Sequence, residues 1–529
     1  MVLAAYRYSI DTPFDNDITL GVDLYHYATL LPMDVALETH SVVVDVFDGA
    51  AIVACVDCLD EGVLDHLYKH GLSAVALTTT QKNLWVLQCR VYAIQAKTNA
   101  ERIGASSRGV ITWLRWPIWR RSAAIGGPIT LAILLALIFP TIALGLGALC
   151  LIVQTVLRLK LCLHGLPPQV ALPKPGPQRE SFSILIPLYK EAEILPALVQ
   201  RLERINYPKE YLQILFLLEA HDKQSRLSLN MITLPDHMRV LTIPNGALRT
   251  KPRAMQAAFP FTTGKFIGVY DAEDAPHPNQ LQEAELRFAR LPELDCLQAP
   301  LDIYNAHHGV LPTCFLIEYA MLFRLQNPSL AVRNWPILLG GTSFFIRRDS
   351  LRKLGGWDAY NVTEDAELGL RLHNAGLQIQ ILSRPTLEEA PTRLTAWIKQ
   401  RSRWLKGFLL TFLSPPDRRP GPLSSLLLLG PVLAAAISLF CLPLWALSFG
   451  PYAQMSNIPF WTFTLVAAFS EVVLFGLGWR ALSARHLRRY RPALFLMPLY
   501  RLLLVPACTK ALFEAVIAPI YWDKTHHGG

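Results

Sequence analysis

Four short groups of residues in this sequence combine types and spacings that could do chemistry. The first closes the apolar run KFIGVYD with Tyr270-Asp271-Ala272-Glu273-Asp274. Acidic residues spaced by one on the last turn of a strand point the same way, so Asp271 and Glu273 can both reach a divalent cation, Mg2+ or Mn2+, bound to a diphosphate. The second group, Lys251-Pro252-Arg253, follows a strand and a loop and supplies positive charge suited to phosphates. The third is Val362-Thr363-Glu364-Asp365, which opens the helical run AELGLRLHNAG. Thr363 suits an N-cap there, and Asp365 in the first turn is expected to be held ionised by the helix dipole. The fourth, Gln400-Arg401-Ser402-Arg403-Trp404, lies in the helical stretch LTAWIKQRSRWLKGFLLTFL, whose apolar residues suit a membrane surface. Taken singly, each group also has an ordinary reading: a solvated acidic loop, a solvated basic loop, first-turn helix acids, an interfacial anchor.

The elements that must position these groups are legible as periodicity. Between residues 167 and 415, short β-type runs (SFSILIP, LQILFLL, MRVLTIP, KFIGVYD, TSFFIRR) alternate with helical patterns such as AEILPALVQRLERI and PNQLQEAELRFARL. That alternation predicts an α/β domain with a mostly parallel sheet, whose ligands belong at the carboxyl ends of the strands. Residues 1–115 also mix strand-like and helical runs and predict a small α/β accessory domain with no catalytic constellation. The remainder is apolar. With 52% hydrophobic residues, the chain of 529 exceeds what a soluble core needs.

Residues 123–158 predict a transmembrane helical hairpin broken near Phe139-Pro140, and residues 422–479 predict two more spans. The net charge of +9 collects beside these runs, at Arg115, Arg120, Arg121, Arg158, Lys160 and Arg485 to Arg491. Such clustering reads as a topology signal that puts the α/β domain in the cytosol, and not as a nucleic-acid groove. Residues 492–529 carry Arg501, Lys510 and Glu514, charges that favour an interfacial helix and cytosolic tail over a simple span. Glu471 within a predicted span either faces a neighbouring helix or lines a pathway. The nine cysteines imply no disulfide framework, and the first residues lack the apolar core of a cleaved signal peptide.

In this order, the acidic triplet, Thr363-Glu364-Asp365 and Gln400-x-x-Arg403-Trp404 resemble the processive, membrane-embedded family 2 glycosyltransferases, which include cellulose, hyaluronan, poly-N-acetylglucosamine and curdlan-type synthases. The resemblance covers roughly residues 181 to 412 and implies a GT-A type nucleotide-sugar-binding fold. It implies that Asp365 is the catalytic base and that Asp271 and Glu273 hold the metal, although the family more often has Asp at the second position. Donor contacts are implied at Pro187, Tyr189, Glu191, Glu219, Asp222, Lys251, Arg253, Asp271, Gln400 and Arg403. The usual acidic doublet at the second strand reads His221-Asp222 here, with Glu219 nearby, so the acid that meets the base stays open. Acceptor contacts are implied at Gly341, Thr342, Glu364 and Trp404, the indole offering a flat face to a sugar. The flanking layout is similar to a bacterial subgroup with an N-terminal domain like that of type II secretion ATPases, in which Trp522, Lys524 and Thr525 would belong to a gating segment.

The chemistry so implied is direct inversion at the anomeric carbon of a UDP-sugar, glucose being the family's common choice, with Asp365 taking the acceptor hydroxyl's proton. The acceptor would be a growing exopolysaccharide at the inner-membrane face, handed to the bilayer-embedded helices and to envelope export partners. Two other readings stand beside it: transfer of a single sugar to a lipid, and an envelope scaffold with an inactive transferase domain. Asn361-Val362-Thr363 matches a glycosylation sequon, but on a cytosolic loop it is not expected to be modified.

Overall fold

The computed structural model describes residues 8–9, 27–106, 110–167, 179–246, 248–413, 421–447 and 457–521. Trp522, Lys524 and Thr525 lie outside the described residues. The first part of the chain forms β1 (Tyr8–Ser9), α1 (Met33–Glu38), β2 (Ser41–Phe47), β3 (Ala50–Cys55), α2 (Glu61–Lys69), β4 (Ser73–Thr78) and the long helix α3 (Gln81–Ser106). Its sheet has the order β1-β4-β3-β2. The apolar hairpin follows as α4 (Ile118–Ile138) and α5 (Pro140–Leu161), interrupted where Pro140 cannot donate a backbone bond.

Next come β5 (Phe182–Leu188), α6 (Leu195–Glu203), β6 (Leu212–Glu219), α7 (Lys223–Asn230), β7 (Met238–Ile243), α8 (Lys251–Ala258), β8 (Phe266–Val269), β9 (Ala275–Pro276), α9 (Gln280–Arg290), β10 (Leu294–Gln298), β11 (Leu301–Ile303), α10 (Val310–Met321), α11 (Asn327–Val332), β12 (Phe344–Arg347), α12 (Glu364–Asn374), β13 (Gln378–Ile381), β14 (Thr386–Glu388) and α13 (Leu394–Phe412). The main sheet has the order β13-β10-β12-β8-β5-β6-β7. Its strands are parallel except β12, which runs against both β8 and β10. The α/β class and the mostly parallel sheet are as expected. A small sheet of order β11-β14-β9 lies beyond its carboxyl edge.

The strands read as unbroken apolar runs because both faces of the sheet are covered. On one face Phe182, Ile184, Ile186 and Leu188 of β5 join Ile214, Phe216 and Leu218 of β6 and pack with Leu198 and Leu202 of α6. On the other, Leu185, Leu215, Leu217 and Leu241 pack with Ala254, Ala257 and Ala258 of α8. That second layer runs on without a break into Leu84, Val91, Ala96 and Ala100 of α3. Trp85 of α3 meets the ring of Phe261 edge-on at 5.9 Å. The first part of the chain therefore shares a core with the main sheet.

After α13 the chain forms α14 (Pro422–Leu447), α15 (Asn457–Ala481), a 3-10 run over Arg488–Leu496, α16 (Met497–Leu502) and α17 (Leu504–Ile517). Among the described residues five helical runs are long and apolar enough to cross a membrane: α4, α5, Pro422–Leu439, Phe460–Ala481 and Arg488–Ile517. The fifth is the stretch for which the sequence favoured an interfacial helix on the strength of its charges. Those charges have partners: Arg501 pairs with Glu471 of α15, and Glu514 pairs with Lys510 and with Lys406 of α13. Pairing removes much of the cost of an ionised group at depth, so the objection to a span falls away.

Helix α13 is held from two sides. Lys406, fully buried, donates to Glu514 at 3.0 Å and to the Tyr521 carbonyl at 2.8 Å. On its other side α13 approaches the start of α12 so closely that a Cβ on Gly407 would stand 2.3 Å from Thr363 Oγ1 and 2.5 Å from Thr363 Cγ2. Asn361, buried, donates to Thr411 Oγ1 at 3.0 Å, which closes its amide to modification.

Two substitutions check this packing. Trp85→Ala, at a residue 8% exposed, is expected to cost about 3–5 kcal/mol of stability, against less than about 0.5 kcal/mol for Tyr68→Ala at 79% exposure, read from thermal unfolding in detergent. Gly407→Ala must push α13 off Thr363 and is expected to cost about 1–3 kcal/mol. Because Arg403 lies one turn away, any activity that depends on Arg403 should fall in Gly407→Ala by more than its folded fraction does.

Candidate active site

A cleft opens at the carboxyl ends of β5, β6 and β8, lined by Pro187, Tyr189, Glu191, Glu219, Arg249, Thr250, Lys251, Asp271, Glu273 and Arg403 among others. Each wall follows from local structure. The chain leaves β5 through Lys190, whose φ of +57° bends it sharply; Asp222 fixes that bend by accepting from the Lys190 N–H at 2.5 Å. At the start of α8, Thr250 is the N-cap, accepting from the Arg253 N–H at 3.4 Å while its own hydroxyl donates to the Ala359 carbonyl at 2.7 Å. Lys251 is thereby delivered in the first turn. It forms an ion pair with Asp271 and donates to the Gly341 carbonyl at 2.8 Å.

Gly341 joins this donor cleft to the TED acids. Its φ is +81°, and a Cβ there would stand 2.9 Å from Asp365 Oδ2, so the backbone and the carboxylate meet at a distance only glycine allows. Asp365 and Glu364 open α12. Burial raises the Asp365 carboxyl above the ordinary range, against the pull of the Ala366 N–H, Lys251 and Arg403. The N–H groups of the helix start favour its ionised form, but the desolvation of a buried acid outweighs them, so the carboxyl ionises at higher pH than an ordinary aspartate. Burial and then the neighbouring charge of Asp365 push Glu364 up to about 8. Thr363 sits at the N-cap position without a capping bond; its N–H and hydroxyl both turn to Asn361 Oδ1.

Two cations face these acids. Burial works to lower Lys251, but Asp271, Glu364 and Asp365 outweigh it and hold the ammonium firmly charged. Arg403 reaches the same acids from α13, feeling the charges of Glu364, Asp365, Asp271 and Glu273. Asp274, fully buried beneath, accepts from the Asp271 N–H at 2.8 Å and from the Thr342 hydroxyl, while its Oδ1 has no hydrogen-bond partner among the described residues. Burial, then Asp271 and Glu273, drive its carboxyl far above the usual range. Asp271 and Glu273 offer hard oxygen ligands on the cleft wall, which suits Mg2+ or Mn2+. Among the described residues no three His, Cys, Asp or Glu side chains are arranged to hold a metal by themselves, so the rest of such an ion's shell would come from a diphosphate.

The structure brings together Pro187, Tyr189, Glu191, Glu219, Lys251, Asp271, Glu273 and Arg403, and sets Asp365, Glu364 and Gly341 beside them. It does not bring in Asp222, Arg253 or Thr342. Asp222 is buried and spent on Lys190 and on capping α7 through Ser225. Arg253 is wholly buried, its guanidinium donating to both oxygens of Glu219 at 2.9 and 2.6 Å and to the Pro244 carbonyl at 3.1 Å. Lys251 and Arg253 are two apart on one helix and so face different ways. Thr342 is buried and committed to Asp274.

Gln400 is buried with its Oε1 unpartnered among the described residues. Trp404 is half-buried, its ring 6.3 Å from both Tyr319 and Phe315 and 4.5 Å from Arg401 Cζ. Arg401 itself forms a bidentate pair with Glu318 at 2.8 and 2.6 Å, and Tyr500 donates to the same carboxylate at 2.9 Å. Sequence reasoning missed this lock, and it missed Arg249 on the cleft wall.

Residues 266–504 match the family described as Glycosyl transferase family group 2. The chain is 26% identical over 228 residues to beta-monoglucosyldiacylglycerol synthase of Trichormus variabilis, covering 42% of this chain and 48% of that protein. It is 25% identical over 246 residues to the UDP-forming cellulose synthase catalytic subunit of Pseudomonas fluorescens, covering 44% and 31%. Among solved structures, a mannosyltransferase from Pyrobaculum calidifontis in complex with GDP-Man and Mn2+ aligns with a TM-score of 0.47 and 16% identity over 71% of this chain and 98% of that one. The chain spans about half the length of the first curated relatives it matches. The match over residues 266–504 shows a family 2 glycosyltransferase domain in this part of the chain.

Proposed function

We propose that the chain is an inverting membrane glycosyltransferase that moves a sugar from a UDP-sugar to a growing glycan at the cytosolic face of the inner membrane. The observation that carries this reading is the placing of Asp365 Oδ2 against Gly341, whose carbonyl holds the Lys251 ammonium on Asp271. A base for the acceptor hydroxyl thus stands next to the group that meets the diphosphate. In this reading Asp365 takes the hydroxyl proton as the acceptor oxygen attacks, and Lys251 and Arg403 stabilise the charge that builds on the leaving diphosphate. Asp271 and Glu273 would hold Mg2+ or Mn2+, which when bound neutralises part of that same charge. Trp404 is the acceptor platform, and Glu191 and Glu219 line the nucleotide end of the cleft. Processive elongation, with the product passed to the apolar helices and to export partners, is supported by Gln400-x-x-Arg403-Trp404 lying on a helix packed directly against α17. The match to a glycolipid synthase favours a second reading, one sugar added to a lipid at the membrane surface.

Detergent-purified protein, supplied with Mg2+ or Mn2+ and a panel of radiolabelled UDP-sugars, should transfer one sugar, and Asp365→Asn should lower the rate by about 10²–10⁴-fold. High-mass product supports elongation; a single-sugar lipid product selects the second reading; no transfer from any donor points to the scaffold. The pH dependence has a definite sign. A base must be ionised to act, and burial raises Asp365, so kcat is expected to fall as pH drops through a point above the ordinary aspartate value of about 3.9. An acidic limb at or below that value would mean that Asp365 is not the buried base.

A further inference from the structure

A carboxylate that no motif announces stands at the junction of the two halves of this site. β14 runs antiparallel to β9 with Thr386 opposite Pro276 and Leu387 opposite Ala275, and the next step of that register sets Glu388 abreast of Asp274. On its other side Glu388 pairs with Ile303 of β11, and its carbonyl accepts from the Tyr304 N–H at 3.1 Å. Residues alternate across a strand, so Glu388 shares the face of Thr386 and not of the exposed Leu387. That face packs toward the turn behind the acidic triplet: Thr386 Oγ1 is 2.6 Å from Ser343 Oγ, and the neighbouring Thr342 holds Asp274.

The surroundings of Glu388 are those of a group waiting for a partner. Its carboxylate accepts no hydrogen bond and forms no ion pair among the described residues, and beside it the fully buried Asp274 Oδ1 is also unpartnered. Burial weighs on it first, and then the charges of Asp274, Glu273 and Asp271, with Lys251 opposing them. Its own charge reaches Tyr319, whose ring stacks toward Trp404 at 6.3 Å. A buried carboxyl without donors takes up a proton rather than staying charged, and a ligand that brings hydrogen-bonding groups relieves the same cost. Between a diphosphate on Asp271 and a sugar platform at Trp404, the groups that belong there are pyranose hydroxyls, which hydrogen-bond to a carboxyl in either protonation state.

We propose that Glu388 accepts hydrogen bonds from the hydroxyls of the pyranose seated between Asp271 and Trp404, and so helps decide which sugar is taken. The inference rests on the glycosyltransferase reading given above. Its test is calorimetric titration of UDP and of the UDP-sugar that the wild type transfers, on wild type, Glu388→Gln and Glu388→Ala, with acceptor KM measured alongside. Both variants should bind UDP within about twofold of wild type, because Glu388 leaves the diphosphate alone. The UDP-sugar should bind about tenfold or more weakly to them if the hydroxyls belong to the donor sugar; if they belong to the acceptor's terminal sugar, the acceptor KM should rise by that factor instead. Loss of UDP affinity in parallel would put Glu388 in the cation site and overturn the proposal, as would unchanged affinity and KM throughout. Glu388→Gln preserves volume while exchanging one acceptor oxygen for an amide donor, so it keeps the test intact should the alanine variant fold poorly. Wild type that binds UDP-sugar no better than UDP and transfers nothing would sink the functional reading, a result distinct from any difference between wild type and variants.

Discussion

The site is built around a repulsion. Asp271, Glu273, Asp274, Glu364, Asp365 and Glu388 crowd one region at the edge of the sheet; burial drives the carboxyls of Asp274, Glu364, Asp365 and Glu388 upward, and neighbouring carboxylates add to it at Asp274, Glu364 and Glu388. Negative charge gathered out of water is tolerable only where cations meet it. Two do so, Lys251 from the start of α8 and Arg403 from the middle of α13. The rest of the architecture can be understood as what fixes those two helices against the carboxyl ends of β5, β6 and β8.

Each helix is braced by a different part of the chain. α8 is braced from behind by α3, whose Ala96 and Ala100 share a core with Ala254, Ala257 and Ala258. α13 is braced from the membrane side, by Lys406 on Glu514 and by the Arg401, Glu318 and Tyr500 lock, to which Trp397 adds a hydrogen bond at 2.9 Å to the Tyr500 hydroxyl. Arg401 lies over the rings of Phe315, Trp397 and Trp404 at 4.7, 5.3 and 4.5 Å. Removing a cation held in this way from one partner leaves another buried charge exposed to no water, which is why such locks transmit position so firmly. The apolar helices are thus coupled to the donor cleft through a chain of contacts one helix thick.

What the sequence showed and what it hid divide along physical lines. Strand runs buried on both faces, the acid pair at the end of β8 and the helix bearing Arg403 all leave periodic or local signals, and each could be read before any coordinates. Asp222 and Arg253 misled because spacing says that a charge is near a site, not which way it faces. The rule that residues two apart on a helix do not share a face would have separated Lys251 from Arg253. Thr342 precedes a strand and could as well have met a ligand; only its distance to Asp274 decides. Glu388 left no signal, since two glutamates before Ala390-Pro391 look like any solvated turn, and its place beside Asp274 follows from a strand pairing across more than a hundred residues. The charges of the fifth apolar run show the same limit: Arg501, Lys510 and Glu514 are costly in sequence and paired in space.

Arg253 shows how far from the cleft its wall is decided. Its guanidinium is shared between Glu219, which lines the cleft, and Glu101 of α3, whose Oε1 lies 3.4 Å away. Gly246 makes that sharing possible, because a Cβ there would stand 2.2 Å from Glu101 Oε1 and 2.3 Å from Arg253 Nη1. Burial raises the Glu219 carboxyl and Arg253 opposes it, so the charge that Glu219 presents to the cleft depends on where Arg253 is held. Arg253 is held partly by a helix from the first part of the chain. A shift of α3 by a single side chain's reach would therefore change the electrostatics of the Glu219 wall of the cleft without touching it. The first part of the chain is, in this fold, one wall's support.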